Sequence, residues 1–121
     1  MIRLPVHLRT NEQAALVEFA TRLLQQPDIR VISIRLFGSK ARGDFGSDSD
    51  LDLLIILENA DWNMRDRVHL LAARVSLEHD VLINTHLVSY GRWTNMSRQR
   101  ATLWQHVQRD GIPLVTTPRS A

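Results

Sequence analysis

The stretch from Leu36 to Leu57 constrains this chain most: Leu-Phe-Gly-Ser-Lys-Ala-Arg-Gly-Asp-Phe-Gly-Ser-Asp-Ser-Asp-Leu-Asp-Leu-Leu-Ile-Ile-Leu. An apolar run ends at Gly38-Ser39, a polar loop follows, and Asp50 and Asp52 stand at the head of a second apolar run. Side chains alternate along a strand, so two carboxylates two residues apart point to the same face. Such a pair is costly alone, because each anion disfavours the other and both lose hydration. A hard dication removes that cost. Mg²⁺ in particular is held by one or two carboxylates together with substrate phosphates. Gly38 allows a sharp turn with close backbone approach, and Ser39 offers a hydroxyl and an amide where a helical turn, Lys40-Ala41-Arg42, can begin. The stretch reads as a phosphate-gripping turn facing a metal-gripping acid pair.

Three other readings fail on the letters. A Walker A loop requires Lys-Ser or Lys-Thr after its second glycine, whereas Gly43 is followed by Asp44-Phe45. Asp48, Asp50 and Asp52 imitate the first ligands of an EF-hand, but Leu53 stands where the loop needs glycine and Asn59 where it needs glutamate. Arg42-Gly43-Asp44 matches an adhesion tripeptide, but no signal peptide accompanies it.

With 121 residues, the chain is expected to form a single domain over 1–121. It has no cysteine, which excludes disulfides and thiolate metal sites and suits a reducing cytoplasm. No apolar run approaches the roughly 20 residues that span a bilayer. Fourteen of the fifteen basic residues are arginine. Between Ser89 and Arg109 lie Arg92, Arg98, Arg100 and Arg109 with no acid among them. That stretch suits an acidic protein partner, a nucleic acid or a solvated helix face.

Thr10 and Gln13 predict a capping box for a helix with Ala14, Val17, Ala20 or Thr21, and Leu24 on its apolar stripe, ended by Pro27. Glu12 and Glu18 are expected to be exposed and without a role. Arg30–Phe37 and Leu51–Leu57 read as neighbouring strands joined by the loop 38–50, with Asp44 and Asp48 as local turn formers. Asp61 caps a helix to about Glu78, with Met64, Val68, Leu71 and Val75 on one stripe and His69 on the surface. Asp80–Val88 reads as a third strand, with Leu82, Asn84 and His86 on the face of Asp80. A last helix starts at Asn95 or Ser97, carries Ala101, Trp104 and Val107, and stops at Gly111 before Pro113. Trp104 is expected in the core. Trp93 and Tyr90 stack on a base or seal the core, and Pro118–Ala121 should fray.

Gly38-Ser39, ten residues, then Asp50-Leu51-Asp52 resembles the motif of the DNA polymerase β-like nucleotidyltransferases. Ala41-Arg42-Gly43 and Ser49-Asp50 resemble its small prokaryotic branch, the minimal nucleotidyltransferases. The resemblance implies an α/β (α+β) palm, a mixed sheet of about three or more strands flanked by helices. It implies that Gly38, Ser39, Lys40 and Arg42 lie on the nucleotide, that ATP is the substrate, and that Asp50, Asp52 and Asp80 hold two Mg²⁺ ions. Two-metal chemistry needs a third carboxylate; Asp80 opens a later strand, and Glu78, at a helix end, is the alternative. The resemblance further implies transfer of AMP to a tyrosine of a partner HEPN ribonuclease toxin, in a hetero-oligomer, with the chain as antitoxin. No direct nucleic-acid or membrane binding is expected. The rival is a non-catalytic binding module that neutralises its partner by contact.

Overall fold

The computed structural model describes residues 4–5, 7–43 and 50–116. Among these the elements run α1 (Thr10–Leu24), β1 (Val31–Phe37), α2 (Ser39–Arg42), β2 (Leu51–Leu57), α3 (Trp62–His79), β3 (Ile83–Ser89), α4 (Tyr90–Gln99), α5 (Thr102–Asp110) and β4 (Ile112–Thr116). The sheet order is β3-β2-β1-β4. β1 is antiparallel to both β2 and β4, while β2 and β3 are parallel, as a connection through a helix permits. The expected mixed sheet flanked by helices is therefore present.

Apolar alternation in β2 sets the layers. Leu51, Leu53, Ile55 and Leu57 join a core with Leu16, Phe19 and Leu23 of α1 and Val68, Ala72 and Val75 of α3. Leu54 and Ile56 point the other way, into a smaller core with Phe37, Val88, Trp93 of α4 and Val107 of α5. β2 is thus covered on both faces, and each fully buried Leu or Ile contributes about 1.5–3 kcal/mol. Trp93 seals this second core beneath the Arg35 guanidinium, 5.9 Å from its ring centre. Trp104 packs against the same core, partly buried.

Several expectations need correction. The buried stripe of α1 is Glu12, Ala15, Leu16, Phe19, Ala20 and Leu23, while Val17 and Leu24 are exposed. Both stripes have helical spacing, but Leu16, Phe19 and Leu23 carry the larger side chains and take the core. The single last helix is two helices, because Ser89 caps a start at Tyr90 and Arg100 turns left-handed (φ 51°). A further strand, β4, follows Gly111 despite Pro113; it lies at the sheet edge, where proline is tolerated. The third strand begins at Ile83 rather than Asp80, which instead ends α3 in a left-handed conformation (φ 54°). The expectations for Asp44, Asp48 and Pro118–Ala121 lie outside the described residues.

Glu12 is 1% exposed and pairs at 2.6 Å with the ammonium of Lys40, which is 0% exposed. Its other oxygen accepts the Arg9 backbone N–H at 2.9 Å. Burial alone raises the Glu12 carboxyl, but the hydrogen bonds from Lys40 and from the Arg9 backbone outweigh it and hold the group below the ordinary carboxylate range. The pair ties α2, and so the turn before it, to the start of α1. Removing one partner of a buried pair strands the other charge. Lys40→Met is therefore expected to cost about 3–5 kcal/mol, lowering the melting temperature by about 10–20 °C, with much of the loss restored by adding Glu12→Leu. Because the folded pKa of Glu12 is depressed, its contribution is complete above the ordinary value of 4.5 and is lost as pH falls through the lower folded value. Urea unfolding from pH 7 to 3 checks this: the acid-side loss should be smaller in the double variant.

Candidate active site

Strand register assembles the site. Asp52 pairs with Phe37 on one side and with Asn84 on the other, so its carboxylate emerges between the end of β1 and the start of β3. Asp50 directly precedes β2 and is half-buried. Gly38 follows Phe37 with φ 77° and ψ −160°, a region essentially restricted to glycine. A Cβ at Gly38 would stand 2.6 Å from Asp52 Oδ2. Both the backbone angle and the space therefore demand glycine, and one oxygen of Asp52 faces the turn. Ser39 opens α2, whose Ala41 and Arg42 amides bond back to the Gly38 carbonyl.

The other oxygen faces β3. Asn84 Nδ2 donates to Asp52 Oδ1 at 3.1 Å, and His86 Nε2 lies 3.8 Å from the same atom. The His86 ring meets Phe37 edge-on, centroids 5.1 Å apart. The motif in the sequence points to neither Asn84 nor His86. The signal was available: counting in steps of two along β3 from the parallel partner of Asp52 finds both.

The other expected site residues are placed differently. Lys40 points inward, where its desolvated ammonium is paired with Glu12. Arg42 stays on the surface and bonds Asp110 Oδ2 at 2.8 Å. Asp110 is held below the ordinary carboxylate range first by Arg109 and then, against burial, by Arg42. Asp80 does not open β3. Its carbonyl accepts from Asn11 of α1, and it lines a groove with Ala72, Ser76 and Leu77 of α3, the helix covering the opposite face from Asp52. The parallel partner of Asp52 is Asn84, so no acid stands where the third carboxylate was expected. Glu78, the alternative, clusters with Glu18 and His79; among the described residues this is the group of three metal-capable side chains gathered within 4.8 Å. Glu18 there also faces Arg22 at 3.6 Å.

The donor set at the turn suits a divalent cation: two carboxylates at a strand head, one with an oxygen against a glycine cradle that no side chain can fill. Residues 16–99, more than half of the chain, match the family described as nucleotidyltransferase domain. A Methanocaldococcus jannaschii protein with the provisional name protein adenylyltransferase is 39% identical over 74 residues, which cover 61% of this chain and 70% of that one. A second protein of the same name and organism is 42% identical over 50 residues, 40% of this chain and 50% of that one. Among solved structures, a toxin–antitoxin complex with AMP-PNP contains a chain matching at TM-score 0.53 and 21% identity, covering 90% of this chain and 75% of its own. A mutant of the MntA–HpeT toxin–antitoxin complex matches at TM-score 0.52 and 19% identity, with the same coverage. These two show a shared fold. The chain belongs to the nucleotidyltransferase domain family and is a nucleotidyltransferase.

Gly38→Ala is expected to destabilise the chain by about 1–3 kcal/mol and to press on Asp52. Nucleotide affinity, read by calorimetry with AMP-PNP and a divalent ion, should fall at least tenfold while the circular dichroism spectrum keeps its shape.

Proposed function

We propose that the chain transfers AMP from ATP to a hydroxyl, a tyrosine of a partner HEPN-type toxin, and thereby acts as an antitoxin in the cytoplasm. The observation that carries this is the carboxylate of Asp52 set against the Gly38 turn. The relatives named for protein adenylyl transfer and the toxin–antitoxin setting of the fold neighbours support the acceptor class. The tyrosine and the HEPN partner rest on the resemblance to minimal nucleotidyltransferases. Exposed Arg92, Arg98 and Arg100, on and just beyond α4, are a docking surface of suitable sign for an acidic partner. No helix among the described residues is long and apolar enough to cross a membrane.

In this reading the turn at Gly38 and Ser39 holds the β- and γ-phosphates against the backbone, and Arg42 lends positive charge from the surface of α2. Asp50 and Asp52 would hold a divalent cation, which when bound neutralises phosphate charge and lowers the pKa of the acceptor hydroxyl. Asp52 is kept in orientation by the Asn84 amide on one oxygen, while the missing Cβ of Gly38 leaves room for the other. Transfer then depends on aligning the acceptor oxygen with the α-phosphorus, and pyrophosphate leaves; no covalent protein nucleophile takes part.

A second reading has one observation in its favour. With Asn84 rather than an acid beside Asp52, the chain could neutralise its partner by contact alone. Incubation with the co-purifying partner, a divalent ion and α-labelled ATP separates the two. Transfer predicts label on the partner and a mass gain of about 329 Da per AMP added, both reduced roughly 10²–10³-fold or more in Asp52→Asn. Full neutralisation by Asp52→Asn without label decides for the contact module.

A further inference from the structure

Beyond Asp50, the side chains that face Asp52 Oδ1 come from β3, and neither of the two there is a carboxylate. Asn84 puts its amide 3.1 Å from Asp52 Oδ1, and His86, next on the same face, puts Nε2 at 3.8 Å. The Asn84 and His86 side chains are also within 3.4 Å of each other. Two donors that each lie about 2.0–2.2 Å from one ion are separated by roughly 3–4 Å, depending on the angle between them. The Nε2 to Oδ1 spacing falls in that range. The edge of Phe37 braces the imidazole, so it faces the carboxylate without having to be recruited from solvent. A half-turn of the Asn84 amide presents its oxygen in place of its nitrogen with no change of shape.

These donors favour a different cation from the one three carboxylates would choose. A neutral amide in place of an acid removes one negative charge and weakens the hold on a hard dication. Imidazole is a good ligand for first-row transition dications, whereas Mg²⁺ prefers oxygen and keeps its waters. We propose that His86 Nε2 and Asp52 Oδ1 together ligate a first-row divalent metal, and that His86 makes this chain select Mn²⁺ over Mg²⁺. The proposal rests on the nucleotidyltransferase reading of the acid pair.

The test needs no turnover. Mn²⁺ alone is titrated into the chain, free ion is read from its paramagnetic resonance signal, and Mg²⁺ is used to displace it. The expected result is a saturable site at least tenfold tighter for Mn²⁺ than for Mg²⁺, with the pulsed-resonance ¹⁴N coupling of a directly bound imidazole. His86→Ala should abolish that coupling and weaken Mn²⁺ at least tenfold while changing Mg²⁺ less than twofold. Asn84→Asp should narrow the preference by raising Mg²⁺ affinity. Absence of the nitrogen coupling in the unaltered chain overturns the proposal whether or not His86→Ala folds, as does its persistence in a folded His86→Ala. Mn²⁺ binding that is lost in Asp52→Asn but never shows nitrogen coupling overturns the His86 assignment and leaves the acid-pair reading standing. No saturable binding, or binding indifferent to Asp52→Asn, overturns both.

Discussion

Asp52 occupies a place that takes three strands to make. β1 ends beside it and turns away through a glycine, β2 carries it, and β3 faces it with Asn84. A carboxylate in such a position must be satisfied on every side, because a partly desolvated anion is expensive. One oxygen accepts from Asn84; the other looks onto the only kind of residue that leaves it room. The two sides are not equivalent: on one, an oxygen packs against the Gly38 backbone, and the β3 side is lined by an amide and an imidazole.

The turn that faces Asp52 is short and needs external support. The four residues of α2 make too few backbone bonds to hold themselves. They are fixed from below by the buried Lys40–Glu12 pair and from the side by Arg42 on Asp110. Lys40 is thus a positioning residue, acting on the site through the backbone it anchors. His7 adds a bond from Nε2 to the Lys40 carbonyl at 2.5 Å. The sole lysine of the chain is committed to structure, and the cations left for surface contacts are arginines.

Much of this was legible in the letters, and the misses have identifiable causes. Leu51–Leu57 has the predicted bounds because a continuous apolar run between polar residues has few alternatives. Asp61 caps α3 by accepting the Met64 N–H, as its chemistry demands. Asp80 misled because an acid before β-branched residues resembles a strand start. Aspartate also tolerates the left-handed conformation that ends a helix, and here that use prevailed. The burial of Lys40 was not legible, because its partner Glu12 lies 28 residues earlier and appears beside it only once α1 has docked. Local pattern reaches elements and caps; it does not reach pairings set by docking.

Asp52 stands as the pivot between the Gly38 turn and a face of β3 that offers it an amide and an imidazole in place of an acid. The most direct test is a crystal structure of the chain with AMP-PNP and a divalent ion. The account predicts the triphosphate against Gly38 and Ser39, with the ion on Asp50 and Asp52 and none on Asp80. A nucleotide seated elsewhere, as in the groove between α3 and β3, or an ion bound without Asp52, would contradict it.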